Sequence, residues 1–415
     1  MFKVKKQKNA CFYLSNNVFL PKFLYMKRWL TVIFIFVALM AQAQKVNHYI
    51  ELGKAFIDKP ENIDTTRIYQ LPARFCFAIV SKAQMVGFFA YSDFNLNFVT
   101  EDIGIRIPAE ATSYLGERLC KKVGFEAGYG SVSFGYSVEV GQKSAKYKRS
   151  LSFGLSNLKW GARISYNGLS NYIVSNMTVG KPGDLIYLDT IEQSDGLGKL
   201  RSLTLDGYYV FNSKRFGYTA TNTINVVQKH TSGSFMLAGR FLWSDLDTKE
   251  DMGGLFESYG TIQFALGGGY SANLVLWNRN IVNNDDRTIR NITWNITAMP
   301  VISFVNYMQT RAYVEHIDEQ DNIISSELKK SGVWCYPSAN LIGSTALSLT
   351  WGRFYFTSQL KLNIFYFSSQ GAMNKNKFSA PNLHYEGFTE DIISNVKVHG
   401  ILYDWSFVGK LFYRF

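Results

Sequence analysis

Apolar and polar side chains alternate with a two-residue period from about residue 72 to the end of the chain. Residues 151–155 read LSFGL, with apolar residues at the odd positions and small or polar residues between them. The same alternation recurs at residues 262–267, 291–297, 347–350 and 360–364. Because successive side chains of a strand point to opposite faces, this period predicts strands that each have one apolar face.

One change of phase in the alternation locates a turn. Apolar residues occupy odd positions at Leu347, Leu349 and Trp351 and even positions from Phe354 onward, with Gly352 and Arg353 between them. A tight turn at Gly352 would reverse the chain and keep both apolar faces on one side. The following strand, residues 354–366, would have about 13 residues, more than the ~5–6 of a typical soluble strand. That length suits a tilted membrane-spanning strand of ~9–11 residues with its ends.

The C-terminal strand carries its own signal. Counting back from the last residue in steps of two gives a face that is almost entirely aromatic or apolar. An aromatic terminal residue on such a strand resembles the recognition signal of outer-membrane barrels, so we expect the barrel-assembly machinery to pair with it. The residues of this predicted barrel-assembly signal are Tyr403, Trp405, Phe407, Gly409, Leu411, Tyr413 and Phe415.

These patterns together predict an all-β protein, a closed antiparallel transmembrane β-barrel over residues 72–415. In lipid every backbone N–H and C=O must find a partner within the protein, and a single sheet achieves this by closing on itself. The 25 tyrosines and eight tryptophans suit the two membrane interfaces. From the number of residues we expect about 12 strands, with 10–14 allowed.

The connections between the predicted strands alternate between short and long. This asymmetry is typical of a barrel with short periplasmic turns and long outer loops. The long polar connections are expected near residues 169–199, 244–257, 278–290, 310–332 and 367–391.

Composition changes this picture little. A single long apolar run, near the N-terminus, excludes a polytopic helical membrane protein, which needs ~20 apolar residues for each span. The formal net charge is +12, but seven of the 44 basic residues and no acidic residue lie within residues 1–43. The surplus of five that remains does not indicate a nucleic-acid partner.

The N-terminal region predicts export. Met26, Lys27 and Arg28 precede the apolar run 29–40, and Ala41 and Ala43 supply the small residues that signal peptidase reads. We expect a signal peptide at residues 26–43, cleaved after Ala43. Residues 44–71 are predicted to form a periplasmic linker with a short helix. Residues 1–25 are interpreted as a mis-assigned upstream start, and the alternative is an unusually long charged leader.

Cysteine usage indicates free thiols rather than a disulfide framework. The four cysteines are Cys11, Cys76, Cys120 and Cys335, without a CxxC pair or a Cys/His metal spacing. Cys76 and Cys120 could pair, but three cysteines in the exported part leave one over. We expect buried or lipid-facing thiols.

One stretch of the sequence carries a motif that is more specific than the two-residue alternation. Residues 215–237 read RFGYTATNTINVVQKHTSGSFML, where an aromatic-rich strand leads to a Gln-Lys pair and a Ser/Gly/Phe segment. This resembles a motif of an uncharacterised family of outer-membrane barrels from Bacteroides-type Gram-negative bacteria, from which it departs at Thr219 and His230–Thr231. The glycine-rich stretch 267–277 resembles another strand of that family. The matching residues are Phe216, Tyr218, Gln228, Lys229, Ser232, Gly233, Ser234 and Phe235.

The resemblance extends from about residue 60 to the C-terminus. Because the family is a domain of unknown function, it implies the fold and the outer-membrane location and adds no catalytic residues. From the residues alone, QKHTSGS predicts a turn around Gly233. The alternative is a polar cluster in the lumen from Gln228, Lys229 and His230.

Catalytic, metal and cofactor motifs are absent from the sequence. It contains no GxSxG and no HExxH, and the triplet Gly267–Gly269 lies in a strand pattern and lacks the lysine of a phosphate loop. His384, Glu386 and Glu390 fall in one predicted outer loop, where a solvated polar surface is the simpler interpretation. We therefore expect no enzyme, no cofactor and no metal.

Two functions remain nearly level. The first is a passive pore or uptake channel, favoured by polar lumen residues such as Asn291, Thr293, Asn295 and Lys361. The second is a closed barrel that acts as a structural, adhesion or interaction protein through its outer loops. A barrel hydrolase is a distant third. The expected partners are outer-membrane lipid, lipopolysaccharide and the barrel-assembly machinery.

Overall fold

The structure is a computed structural model whose residues from Glu61 onward form one compact unit. The predicted upstream start, signal peptide and cleavage site lie outside the described residues, and so does the linker before Ile63, including the stretch predicted to be helical. The described residues are 63–99, 104–115, 119–140, 149–179, 197–223, 225–247, 258–279, 288–317, 323–368 and 393–415.

Sixteen strands and one short 3₁₀ helix, Tyr218–Thr221, make up the described secondary structure. The first eight strands are β1 (Ile68–Gln70), β2 (Phe75–Val99), β3 (Gly104–Leu115), β4 (Cys120–Tyr129), β5 (Val132–Glu139), β6 (Arg149–Ser156), β7 (Trp160–Val179) and β8 (Leu197–Val210). The others are β9 (Val226–Gln228), β10 (Ser232–Asp247), β11 (Ser258–Arg279), β12 (Arg290–Ile317), β13 (Ile323–Trp334), β14 (Ser338–Trp351), β15 (Phe354–Ser368) and β16 (Ile393–Arg414). No helix in the described part of the chain is long and apolar enough to cross a membrane.

Twelve of these strands form a closed antiparallel ring. Its order is β2-β4-β5-β6-β7-β8-β10-β11-β12-β14-β15-β16, and β16 pairs with β2 to close it. Closure removes the unpaired edges that an open sheet would expose. The prediction of an all-β, closed barrel of about 12 strands is therefore confirmed.

Four further strands lie outside the ring. β3 pairs with the ends of β2 and β7, and β13 pairs with the end of β12. β12 alone has 28 residues, far more than the ~9–11 that cross a bilayer. The sheet therefore continues beyond the membrane-spanning height on the side of these extensions. The other two strands, β1 and β9, pair with each other in a separate two-stranded sheet.

The outer face of the ring is apolar, as the alternation predicts. In β15, Phe356, Leu360 and Leu362 are exposed on the outside, whereas the residues between them point inward. The same holds for Trp294 and Ile296 of β12. Lysines, glutamates, asparagines and threonines are instead buried on the inner face. An apolar outside and a polar inside define a barrel of the outer-membrane type.

The turn predicted from the change of phase is confirmed. Trp351 of β14 pairs with Phe354 of β15, so Gly352 and Arg353 form a two-residue turn between them. Gly352 has a φ of 61°, in the left-handed region where a glycine is favoured. The cysteines also behave as expected, because Cys76, Cys120 and Cys335 are buried thiols that form no disulfide.

The glycine triplet in β11 allows β12 to approach closely. A Cβ on Gly269 would lie 2.0 Å from the carbonyl oxygen of Ala298, and one on Gly267 would lie 2.2 Å from that of Pro300. Both obstacles are backbone atoms, so the strands would have to separate. The triplet thus serves the packing of two ring strands.

Replacement of Gly269 by alanine should destabilise the barrel by about 2 kcal/mol or more, because the added methyl group forces the β11–β12 ladder apart. The measurement is the urea midpoint of the protein refolded into lipid vesicles. Gly207→Ala in β8 is the matched control, since its Cβ would meet its nearest atom at 3.9 Å. Equal midpoints for the two variants would contradict a steric role of Gly269.

The two ends of the ring differ. The turn end carries Gly352–Arg353, the β4–β5 turn at Gly130–Ser131 and the C-terminus, and the loop end carries the extensions formed with β3 and β13. Residues 278–290 were predicted to be a long outer loop, but they connect β11 to β12 at the turn end. Residues 310–332 are largely strand, the β12–β13 extension. Strong polarity was the basis for both predictions, and it does not report which end a connection occupies.

Candidate functional site

Two chain segments occupy the turn end of the ring, and we call them the plug. One is residues 63–71, which precede β2, and the other is residues 211–231, which connect β8 to β10. They meet through the antiparallel pairing of β1 with β9, and the second segment also contains the 3₁₀ helix. The plug is thus built from a part of the predicted linker and a part of the family-like motif.

Backbone hydrogen bonds join the two plug segments on both sides of the β1–β9 pair. Asp64 N donates to Lys214 O over 3.0 Å, and Leu71 N donates to Asn225 O over 2.8 Å. The Asp64 carboxylate lies 3.5 Å from the Arg215 guanidinium. The hydrogen bond donated by the Thr66 hydroxyl, with help from Arg215, lowers the pKa of Asp64 below its ordinary value.

Apolar side chains pack the plug against itself and the barrel wall. One buried cluster contains Ile68 of β1 and Val226 of β9 together with Leu158 from the β6–β7 turn. Another contains Leu71 and Val227 and reaches Ile289 at the start of β12. The burial of such side chains stabilises by roughly 1.5–3 kcal/mol each. The plug is therefore a packed structure and not a loose connection.

Phe216 and Tyr218 anchor the plug inside the lumen. Phe216 is fully buried in a cluster with Met236, Met299 and Val301 of the wall. The Tyr218 ring packs edge-on against Tyr208, with 4.6 Å between centroids. Burial raises the pKa of Tyr218 to about 12, so its hydroxyl stays protonated at neutral pH.

Gln228 lies at the centre of the plug and is fully buried. Its Nε2 donates to the carbonyl oxygens of Arg215 and His230, each over 2.9 Å, and to that of Arg67 over 3.2 Å. Its Oε1 accepts a hydrogen bond of 2.9 Å from Gly217 N. One side chain therefore joins three stretches of backbone that belong to both plug segments.

Four wall side chains hold the plug by its backbone carbonyl groups. Asn273 Nδ2 donates to Gly217 O over 2.8 Å, and Asn291 Nδ2 donates to Gln228 O over 2.9 Å. Two strands further along the wall, the hydroxyl groups of Tyr355 and Thr357 of β15 donate to the carbonyl oxygens of the 3₁₀ helix, over 2.9 and 2.8 Å. The plug is thus bound to β11, β12 and β15.

The two asparagines belong to a ladder of polar side chains on the inner faces of β11 and β12. Asn295 Nδ2 donates to Asn273 Oδ1 over 2.8 Å and to Ser271 Oγ over 3.0 Å. Thr293 Oγ1 donates to Asn291 Oδ1 over 2.7 Å. Because each member has its partner in a buried setting, the ladder fixes the side chains that hold the plug.

A layer of charged side chains crosses the lumen between the plug and the loop end. Glu126 of β4 accepts a hydrogen bond of 2.8 Å from Lys410 Nζ of β16 and lies 3.7 Å from Arg163 Nη2 of β7. Arg240 of β10 forms an ion pair with Asp206 of β8. These contacts connect five ring strands.

Two cavities of about 170 Å³ each adjoin this layer. The outer cavity extends toward the loop end and is lined by Gln84 and Asp404, which share a hydrogen bond of 2.9 Å. The inner cavity extends to the plug and is lined by Tyr218 and Asn222. The residues that line both cavities are Glu126, Arg163, Asp206, Arg240, Gln359, Lys361, Asn363 and Lys410.

The structure separates the residues of the family-like motif. Phe216, Tyr218 and Gln228 lie in the plug core, whereas Lys229 lies over the Tyr69 ring at its edge and His230 is exposed. The remaining four begin β10: Ser232, Gly233, Ser234 and Phe235. Ser234 accepts a hydrogen bond from Asn212 N, and Phe235 points outward.

The residues of the predicted assembly signal lie together on one face. Even-numbered residues of β16, such as Val408 and Phe412, are buried, and the odd-numbered residues point outward. Phe415 N donates to Phe75 O over 3.1 Å, which joins the last residue to the start of β2. Recognition of this strand by an assembly machinery stays a prediction.

Nucleophile and base chemistry is sparse in the described residues. Ser368 Oγ lies 2.8 Å from His399 Nδ1 near the loop end, and Tyr366 shares the same nitrogen. No described carboxylate forms a hydrogen bond with this imidazole. His384, Glu386 and Glu390 lie outside the described residues. Within the described ranges, no group of three or more His, Cys, Asp or Glu residues could hold a metal ion.

Comparisons with known proteins give a family and distant structural likenesses. A family model described as a domain of unknown function, DUF4421, matches residues 93–347, more than half of the chain. The crystal structure of outer membrane protease OmpT from Escherichia coli aligns at 10% identity, with 82% of this chain and 97% of that chain covered and a TM-score of 0.28. No curated protein matches.

Proposed function

The chain belongs to the DUF4421 family of domains of unknown function, and we propose that it is a closed outer-membrane barrel that acts as a structural, adhesion or interaction protein through its loop end. This is the second of the two functions weighed from the sequence. It differs from the first, a passive pore, in whether solutes cross the lumen.

The observation that carries the proposal is the plug. A passive pore needs a continuous water-filled path, whereas here the turn end holds two packed apolar clusters and the fully buried Gln228. Twelve strands leave a lumen that inward-folded segments and side chains can fill. Hydrogen bonds from the wall strands β12 and β15 keep the plug in place. These contacts support a barrel that is sealed at its turn end.

The extended loop end supports the second part of the proposal. β2 and β12 continue well beyond the height of a bilayer and pair there with β3 and β13. A sheet that extends from the membrane offers a surface for contacts with other molecules. A passive pore does not need such a surface. The partners proposed at the membrane itself are lipid, lipopolysaccharide and the barrel-assembly machinery.

Location in the outer membrane of a Gram-negative bacterium is part of the same proposal. The apolar outer face of the ring supports a lipid setting, and the export signal expected at residues 26–43 supports passage across the inner membrane. The signal peptide acts at the inner membrane, whereas transmembrane β-barrels of this type belong to the outer membrane.

A liposome-swelling assay distinguishes the two functions. We expect vesicles that contain the refolded chain to shrink in a hyperosmotic arabinose solution and to stay shrunken, because the plug blocks the passage of a sugar of that size. Insertion is verified by the change of gel mobility on heating. A general porin in the same lipid serves as the control that must swell. Re-swelling at a comparable rate with this chain would favour the passive pore instead.

A further inference from the structure

The charged layer has more cations than anions. Among the residues that line the two cavities, five are basic and three are acidic. The acidic side chains already have partners: Glu126 binds Lys410, Asp206 binds Arg240 and Asp404 accepts from Gln84. The surplus of positive charge therefore has no counterion among the described residues that line these cavities. The basic residues are Lys82, Arg163, Arg240, Lys361 and Lys410.

Lys361 is the cation at the centre of this surplus. It lies on the inner face of β15 with Gln359 and Asn363 on either side, and all three line both cavities. Among the described residues, none of these three side chains has a hydrogen bond or an ion pair. Gln359 and Asn363 are nevertheless only 7% and 8% exposed.

Unpartnered polar groups at that depth call for an explanation. The two amide side chains are more than nine-tenths buried, yet the polar atoms of all three side chains stay accessible from the cavities, where a bound group can supply the missing hydrogen bonds. Their donors point to the same face of one strand, since residues two apart share a face. An ammonium group between two amides is an arrangement that suits an acceptor-rich anion.

We propose that Gln359, Lys361 and Asn363 form a binding site for a small oxyanion, a carboxylate or a phosphate, in the lumen. The anion takes its charge-assisted hydrogen bond from Lys361 Nζ and further hydrogen bonds from the two amides. Arg163 and Arg240 line the same cavities and add to the positive potential. The inference goes beyond the closed barrel, because it depends on the wall of the lumen and not on the plug.

The cavities limit the ligand to a small one. Each has about 170 Å³, below the ~300–1,000 Å³ typical of sites for drug-sized molecules. Inorganic phosphate and a short dicarboxylate such as succinate are therefore suitable probes. Both are oxyanions, and phosphate represents a phosphate ligand whereas succinate represents a carboxylate ligand.

The test is isothermal titration calorimetry on the full chain refolded in detergent, with phosphate and succinate titrated separately at low ionic strength. We expect the wild-type chain to bind at least one probe. Lys361→Gln should weaken that binding about tenfold or more, since a hydrogen bond to a charged group is lost. Lys121→Gln, which removes an exposed lysine from β4, should leave it unchanged.

Folding does not obscure the result. Lys361 has no described partner to lose, so Lys361→Gln should be at least as stable as the wild type without anion, whereas a structural lysine would destabilise on removal. Asn363→Leu provides a second variant with the same expected loss of binding. Absence of heat with both probes, or equal affinities in the wild type and Lys361→Gln, would overturn the proposal.

Discussion

Replacement of Gln228 by leucine is expected to release the plug and open the barrel. The leucine side chain fills a similar volume but makes none of the hydrogen bonds of the glutamine. Gly217 N then loses its acceptor, and three carbonyl oxygens that belong to both plug segments lose their donor. Each buried polar group left without a partner costs about 1–3 kcal/mol.

The combined loss should destabilise the plug by about 3–5 kcal/mol, which raises its opening equilibrium constant by about two to four powers of ten. Hydrogen exchange measured by mass spectrometry should therefore show faster exchange in residues 63–71 and 211–231. The barrel strands should keep their protection, because the ring has its own closed set of hydrogen bonds. Vesicles with the variant should also swell in arabinose.

Gln70→Leu is the matched control for this substitution. Gln70 lies in β1 within the same plug, but its side chain is exposed, so the same chemical change removes no buried hydrogen bond. Plug exchange should remain at the wild-type rate. Equal exchange for Gln228→Leu and Gln70→Leu would show that Gln228 does not hold the plug.

The second large effect is expected at Glu126. Its carboxylate and the Lys410 ammonium are each only 8% exposed, and Arg163 is their neighbour. Glu126→Leu leaves the Lys410 charge buried without its partner in a layer that is already positive. Removal of one partner of a buried pair costs about 3–5 kcal/mol. The urea midpoint of the refolded barrel should fall accordingly.

A double-mutant cycle separates the pair from the packing around it. Glu126→Leu combined with Lys410→Met removes both charges and fills the space with apolar side chains of similar size. The double variant should recover most of the lost stability, because a buried ion pair replaced by apolar residues is often close to neutral. A double variant as unstable as Glu126→Leu alone would indicate that lost packing, and not an orphaned charge, causes the effect.

The sequence predicts the ring well because lipid imposes a simple rule. Every residue that contacts lipid must be apolar and every closed strand alternates, so Leu360 and Leu362 point outward and Lys361 points inward as their positions indicate. The change of phase at Gly352 locates a turn for the same reason. The number of strands follows from chain length once the alternation is established.

The plug escapes this rule because it contacts the lumen and not lipid. Residues 211–231 have the Gly, Ser and Thr content of a turn, and their stretch QKHTSGS is predicted to be one. Two features of the sequence indicate a packed segment instead of a turn. A connection of 21 residues is too long for the turn end, and the aromatic residues Phe216 and Tyr218 are unusual in a solvated loop. The pairing of β1 with β9 joins residues about 160 positions apart, which no local pattern reveals.

The candidate site in the lumen was visible only in part. Asn291, Thr293, Asn295 and Lys361 were predicted to face the lumen, and they do. Their different roles depend on neighbours from other strands. Asn291 reaches the plug through Gln228, whereas Lys361 lies between Gln359 and Asn363 on the wall of the cavities. A strand pattern gives the face of a residue but not the residue across the lumen.

Single-channel recording in planar bilayers tests the central claim most directly. The claim is that the plug seals the turn end of the barrel. Insertion of the wild-type chain, confirmed by its heat-sensitive gel mobility, should produce no stable current steps across a range of salt and voltage. Discrete, long-lived steps from the inserted wild-type protein would contradict a sealed barrel and would favour the passive pore.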